Sequence, residues 1–249
     1  MNALDLFDRY VKEGSESVAG WVEPAIWPLV AAFHVLQTEL KVAGPALEIG
    51  VHHGKFLLGL EQLIDQGETV IGIDIFGDQH LNVDASGSGD QAAFDANVAK
   101  FAAHPSRVLA WSADSLTLDA AAVLRAASGR RFRLISIDGG HTAEHTQSDL
   151  RLVEQVLAPG GLVFLDDYYN ADWPGVHEGF IRYLGTAPPL VPLASYANKM
   201  ILCSLSWHRT LSSNLGRAAQ ILGKQVHGKP VSLFRHPFFN IHQCVDSSR

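Results

Sequence analysis

Residues 133–169 read RLISIDGGHTAEHTQSDLRLVEQVLAPGGLVFLDDYY, and their reading decides the fold. The LISI run is a buried strand, residues 142–157 form a helix, and GLVFL is a second strand. Each strand ends in acid: Asp138 after the first, Asp166 and Asp167 after the second. Two strands joined by one helix run parallel, ~4.8 Å apart where directly paired, so their carboxyl ends gather three carboxylates in a small volume. Two such charges ~4 Å apart repel by roughly 4 kcal/mol at an effective dielectric near ~20. The arrangement therefore asks for positive charge among the acids, and an all-oxygen donor set suits Mg²⁺ or Ca²⁺. Of the adjacent pair, only one side chain need point inward.

The same rhythm extends in both directions. Upstream, strands are expected at 46–50, 69–74 and 107–111, each followed by a helix: 56–66, 90–103 and 116–127. Downstream, Pro174 opens a helix to about Leu184. Two strands, PLVPLASY and KMILCSL, then flank Ala197-Asn198 as an antiparallel hairpin. Five strands alternating with helices predict a doubly wound, mostly parallel α/β sheet with helices on both faces. Two amphipathic or apolar helices, at 3–12 and from Trp21 to about Leu40, precede this core. A helix from Trp207 to about Leu222 and an aromatic tail, SLFRHPFFN, follow it. The expected division is an N-terminal helical extension (1–45), a core (46–206) and a C-terminal helix and tail (207–249).

Composition narrows the function. The 249 residues are 47% hydrophobic with a formal charge of −7 and no dense Lys/Arg cluster, which argues against a nucleic-acid partner. The longest apolar stretch, 25–36, is too short to span a membrane, and the N-terminus lacks a signal-peptide core. Cys203 and Cys244 form no CxxC and read as thiols in a reducing compartment, so the cytoplasm is the expected location.

Three further strand ends carry ligand-type residues. Glu48-Ile-Gly50-Val-His-His-Gly54 is an ExGxxxG turn, where glycines admit close backbone approach to a ligand at a helix N-terminus. Glu48 replaces the first glycine of the dinucleotide fingerprint GxGxxG, and an acid there suits an amine-bearing ligand better than a pyrophosphate. Asp74 ends the second strand and can accept from a ribose diol. Asp114, beside Ser115 after the third strand, can accept from an adenine amino group or cap a short helix. Ligands of such folds bind outside the carboxyl ends of the strands, where all of these residues fall.

Together the pieces EIGVHHG, GIDIF, WSADS and APGGLVFLDDY resemble the class I S-adenosylmethionine-dependent methyltransferases over residues 46–206. The resemblance implies a seven-stranded Rossmann-like sheet in the order 3-2-1-4-5-7-6. It also implies that Glu48 and Gly50 lie near the methionine end, that Asp74 holds the ribose, and that Asp114 meets the adenine. More narrowly, IDGGH followed by LDDYY is similar to the metal-dependent sugar O-methyltransferases of macrolide biosynthesis. In that group an acid after strand four and an acid pair after strand five bind Mg²⁺, which here implies Asp138, Asp166 and Asp167.

The expected reaction is transfer of a methyl group to a hydroxyl of a small molecule, a sugar or glycosylated natural product. His141, at the start of the helix after Asp138, is the candidate base, with Asp138 as the alternative. His145 lies one turn further on, facing either the site or solvent, and His52 and His53 are candidate cofactor contacts or plain loop residues. Tyr168, Tyr169 and Trp173 either wall an acceptor site or form a structural cluster. The polar connection FGDQHLNVDASGSGD (76–90) is expected to cover the site, and the Trp21–Leu40 helix is a second candidate cover or a homo-oligomer contact. A catechol-type acceptor, a nicotinamide oxidoreductase, a metal-dependent hydrolase and a non-catalytic binding protein are the rivals.

Overall fold

Residues 1–247 are described by a computed structural model. Its centre is a parallel array of β1 (Ala46–Ile49), β2 (Val70–Asp74), β3 (Val108–Ser112), β4 (Phe132–Ile137) and β5 (Leu157–Leu165). Every residue of β1 and β4 is buried, as required of parallel strands covered on both faces. One face is covered by α2 (Ile26–Glu39), α3 (Lys55–Leu63), α4 (Gln91–Phe101) and α8 (Leu205–Ile221). The other is covered by α5 (Ala120–Ala126), α6 (Ala143–Val156) and α7 (Pro174–Leu184). The short α1 (Ala3–Arg9) begins with an Asn2–Asp5 capping box and packs Phe7 edge-on against Trp27.

The antiparallel β7 (Lys199–Ser204) lies between β5 and β6 (Leu190–Tyr196), pairing Leu165 with Met200. The expected order 3-2-1-4-5-7-6 is therefore present, but the sheet has nine strands rather than seven. The additional pair is β8 (Lys224–Leu233) and β9 (His236–Asp246), formed by the stretch expected to be an aromatic tail. It turns on Phe234 and Arg235, both at positive φ, and β9 joins β6 through Ala194–Phe239 and Ser195–Asn240.

A second correction concerns Trp21. The helix begins at Ile26, after Pro24, because a proline disfavours helical backbone in the residue before it. Trp21 is left 77% exposed at the mouth of the cavity described below. Among the described residues no helix is long and apolar enough to cross a membrane. Cys203 and Cys244 are both unbridged.

Candidate active site

A cavity of about 900 Å³ opens at the carboxyl ends of the parallel strands, of a size that holds a nucleoside-scale ligand. Its wall includes Gly50, Asp74, Asp114, Ser115, Asp138, His141, Asp166 and Asp167, gathered from five strand ends. The 76–90 connection lies across it, contributing residues 79 and 81–89, so the expected cover is where the sequence put it.

On the side toward β2 and β3, Gly50 sits at φ +81, and a Cβ there would lie 1.9 Å from the carbonyl oxygen of Asp138. No side chain fits, so the turn after β1 can approach the end of β4 and a ligand between them. Asp74 accepts from the backbone N–H groups of His52 and Phe76, both at 2.7 Å. A carboxylate has about four acceptor sites, so Asp74 retains capacity for a diol. Asp114 accepts from Leu116 N–H at 2.9 Å and thus caps a short helical turn while lining the cavity. Two expected cofactor residues stand apart. Gly54, at φ +90, is the N-cap of α3 and faces Phe94 rather than the cavity. Glu48 is 2% exposed and lies beneath the wall. Burial pushes its carboxyl up to about 8, against the nearby Lys199 ammonium.

Toward β5, the acids are arranged differently from the expected oxygen triad. Asp166 is ion-paired with Lys199, a β7 lysine that is 1% exposed and stands 4.6 Å over the Phe56 ring. Asp167, at φ +57, turns the other way. Its Oδ1 accepts from Asn170 and Asn198 at 2.8 Å, and its Oδ2 lies 3.0 Å from His141 Nε2. Burial favours a protonated Asp167, but hydrogen bonds from His141, Asn170 and Asn198 outweigh it and hold the carboxyl below its usual value. Burial opposes a charge on His141, yet Asp167 and then Asp84 raise its pKa above the usual value. The imidazole also stacks on Trp173, with ring centres 4.4 Å apart and planes at 17°.

Ligand atoms of Asp138, His141 and Asp167 lie within 4.8 Å of one another. Burial, and next the charge of Asp166, push the Asp138 carboxyl well above its usual value despite Lys199. Five carboxyls (Glu48, Asp84, Asp138, Asp166 and Asp167) thus share this region with one lysine and one histidine. The site is short of positive charge, and Asp138 and Asp167 suit a divalent cation; Asp166 is committed to Lys199 instead.

Of the aromatic residues after the acid pair, only Trp173 lines the cavity. Tyr168 is buried against Phe180 and His177, and Tyr169 donates to Ser195 Oγ at 3.2 Å. His52 and His145 line the cavity and His53 does not. Lys199, Asp84, Asn170 and Asn198 were not singled out by sequence. The readable signal for Lys199 was a lone charge in the apolar run KMILCSL.

A profile of the methyltransferase-domain family matches residues 47–168. No curated protein matches the chain by sequence. Among solved structures, the calicheamicin methyltransferase CalS11 is 18% identical with a TM-score of 0.51, over 80% of this chain and 89% of that one. An O-methyltransferase from Bacillus cereus in complex with SAH is 16% identical with a TM-score of 0.51, over 80% and 89%. MycE, of the mycinamycin pathway and in complex with Mg and SAH, is 19% identical with a TM-score of 0.52, over 82% of this chain and 55% of its own. At these identities the likeness concerns the fold.

Proposed function

We propose that the chain, whose residues 47–168 match the methyltransferase-domain family, is a class I S-adenosylmethionine-dependent methyltransferase and that it methylates a hydroxyl of a sugar or glycosylated small molecule with the help of a divalent cation, Mg²⁺ by donor type. The carrying observation is that Asp138, His141 and Asp167 converge in the same cavity that Asp74 and Asp114 line. A CalS11 structure is that of a TDP-rhamnose 3′-O-methyltransferase, and MycE holds Mg, which supports the sugar and the cation as parts of this reading.

S-adenosylmethionine, when bound, supplies an electrophilic methyl group, and the protein's task is to orient an oxygen and remove its proton. Asp74 would hold the ribose through its remaining acceptor sites, and Gly50 would let the ligand lie against backbone. Asp138 and Asp167 would hold the cation, which lowers the pKa of a coordinated hydroxyl. His141 is the base rather than a ligand, because a hard cation prefers oxygen. Its Nε2 must give up the contact with Asp167 before accepting a proton. Trp173, stacked on the imidazole, would hold the orientation of the ring. Asp138 is the alternative base.

Trp173 offers a flat aromatic wall, which favours a catechol-type phenol as the second reading. The test is methyl transfer from S-adenosylmethionine to TDP-rhamnose and to 3,4-dihydroxybenzoate, with and without Mg²⁺, followed by mass spectrometry. Mg²⁺-dependent methylation of the sugar is expected. Transfer to the phenol alone would replace the sugar reading, and full activity in excess EDTA would remove the cation.

A further inference from the structure

We propose that Asp84, in the segment covering the cavity, is a positioning residue that seats His141, so that closing the cover and setting the base are one event. This rests on the reading of His141 as the base. Asp84 Oδ2 accepts from the His141 backbone N–H at 2.6 Å and faces the ring Nδ1 at 3.0 Å. Its Oδ1 accepts from the N–H and the hydroxyl of Ser86, at 3.1 and 2.5 Å. Both carboxylate oxygens are thereby fixed, and one of them grips the histidine by backbone and ring together.

The rest of the cover makes this contact singular. Asn82 donates to the carbonyls of Ser86 and Gly87, and Gln79 to that of Phe76, all within the segment. Among the described residues, the hydrogen bonds joining 79–89 to anything outside the 76–90 segment are the two that Asp84 shares with His141. Glycine at 89 lets the segment close over Asp74, since a Cβ there would stand 2.4 Å from its Oδ1. The cover therefore lies over the cofactor side of the cavity and is fastened on the acid side by one carboxylate.

The chemical consequence lies in the imidazole. A neutral ring carries one N–H, and a carboxylate partner fixes which nitrogen bears it. Asp84 at Nδ1 and Asp167 at Nε2, each 3.0 Å away, compete for that proton. With Asp167 turned to a cation, Asp84 would hold it on Nδ1 and leave Nε2 as the acceptor. A carboxylate that served only to anchor the loop would leave the ring tautomer as it is when removed.

The experiment uses the full chain with S-adenosylhomocysteine bound and ¹⁵N-labelled histidine, with His141 assigned through His141→Gln. Asp167→Asn removes the competing carboxylate. In that background, at a pH where the ring is neutral, we expect the Nδ1–H form while Asp84 is present and a shift toward Nε2–H when Asp84→Asn is added, with S-adenosylhomocysteine affinity retained. Amide exchange over 76–90 should quicken roughly tenfold in Asp84→Asn, the effect of losing a charge-assisted hydrogen bond, and less in His141→Gln, whose backbone N–H still reaches Asp84. Asp84→Asn combined with His141→Gln should exchange no faster than Asp84→Asn alone, because the ring contact is already weakened in it. An unchanged tautomer, or additive exchange rates, overturns the seating role while leaving an inactive His141→Gln to stand for the base. Continued methylation by His141→Gln of the acceptor found in the panel overturns the base reading, and the seating proposal with it.

Discussion

Lys199 carries its ammonium into a region shared with Glu48, Asp138 and Asp166, where burial works against its charge and the acids, Asp166 foremost, more than restore it. Removing one partner of such a buried pair leaves the other charged and without compensation, at a cost of roughly 3–5 kcal/mol. Lys199→Met should therefore lose stability of that order in urea unfolding at neutral pH, and adding Asp166→Asn should recover most of it. Equal stability of the single and double variants would show that the pair does not act as one. The lysine was not legible as part of the site because its placement depends on β7 inserting antiparallel beside β5, a pairing between segments distant in sequence. Asp138 was legible, because an acid at the end of an apolar parallel strand has few places to go.

Asp149 makes a different prediction at the same scale. It is fully buried on α6 with both oxygens unpartnered, and the Ser115 hydroxyl nearby falls short of hydrogen-bond geometry. Burial raises its carboxyl from 3.8 to about 7, with Ser115 only partly opposing. In that interval the unfolded chain releases the proton and the folded chain keeps it, so stability falls as pH rises and the loss is complete above about 7. Asp149→Asn should thus be more stable than the wild type at pH ~8, on the order of 3 kcal/mol, and nearly equal to it at pH ~4. A constant difference across that range would contradict the assignment.

At the scale of elements, the β8–β9 pair shows where local pattern misleads. Its turn uses Phe234 and Arg235 at φ 48 and 67, residues without the Asn-Gly or Asp-Gly signature that such turns favour, so nothing local marks a hairpin. The Ala197-Asn198 turn has similar geometry, but its flanking strands are apolar enough to be read directly. The pair is mostly exposed and is held by Phe238 and Ile241, by the Asn240 contact with Ser195, and by His208 on the Pro237 carbonyl. Burying two such apolar side chains contributes about 3–6 kcal/mol, and none of these groups lines the cavity. Truncation after Leu222 should lower the melting temperature while S-adenosylhomocysteine affinity, measured by calorimetry, stays unchanged. Loss of that affinity in a folded truncation would mean that the hairpin supports the site. The cover was legible as an element from its length and polarity. Which of its acids would face inward was not, since Asp78, Asp84 and Asp90 are equivalent until the loop is folded.

Across the whole molecule, the cavity draws on Gly20 near one end of the chain and Asn198 near the other, with the parallel strand ends between them. A ligand filling it therefore joins the N-terminal section, the sheet and the β6–β7 turn, and it binds the folded state only. At about 100 times its dissociation constant such a ligand adds roughly 2.7 kcal/mol. For a chain of this size that corresponds to a rise in melting temperature of about 5–10 °C with S-adenosylhomocysteine. Asp74→Ala should melt lower than the wild type without ligand, because the carboxylate accepts from His52 and Phe76. It should also lose most of the ligand-induced rise, because in the proposed reading the same oxygens would meet the ribose. The two effects separate in one thermal titration: the first is the offset at zero ligand, and the second is the slope against ligand concentration. A wild-type slope on a lowered offset would leave Asp74 a turn-holding residue and move the ribose elsewhere in the cavity.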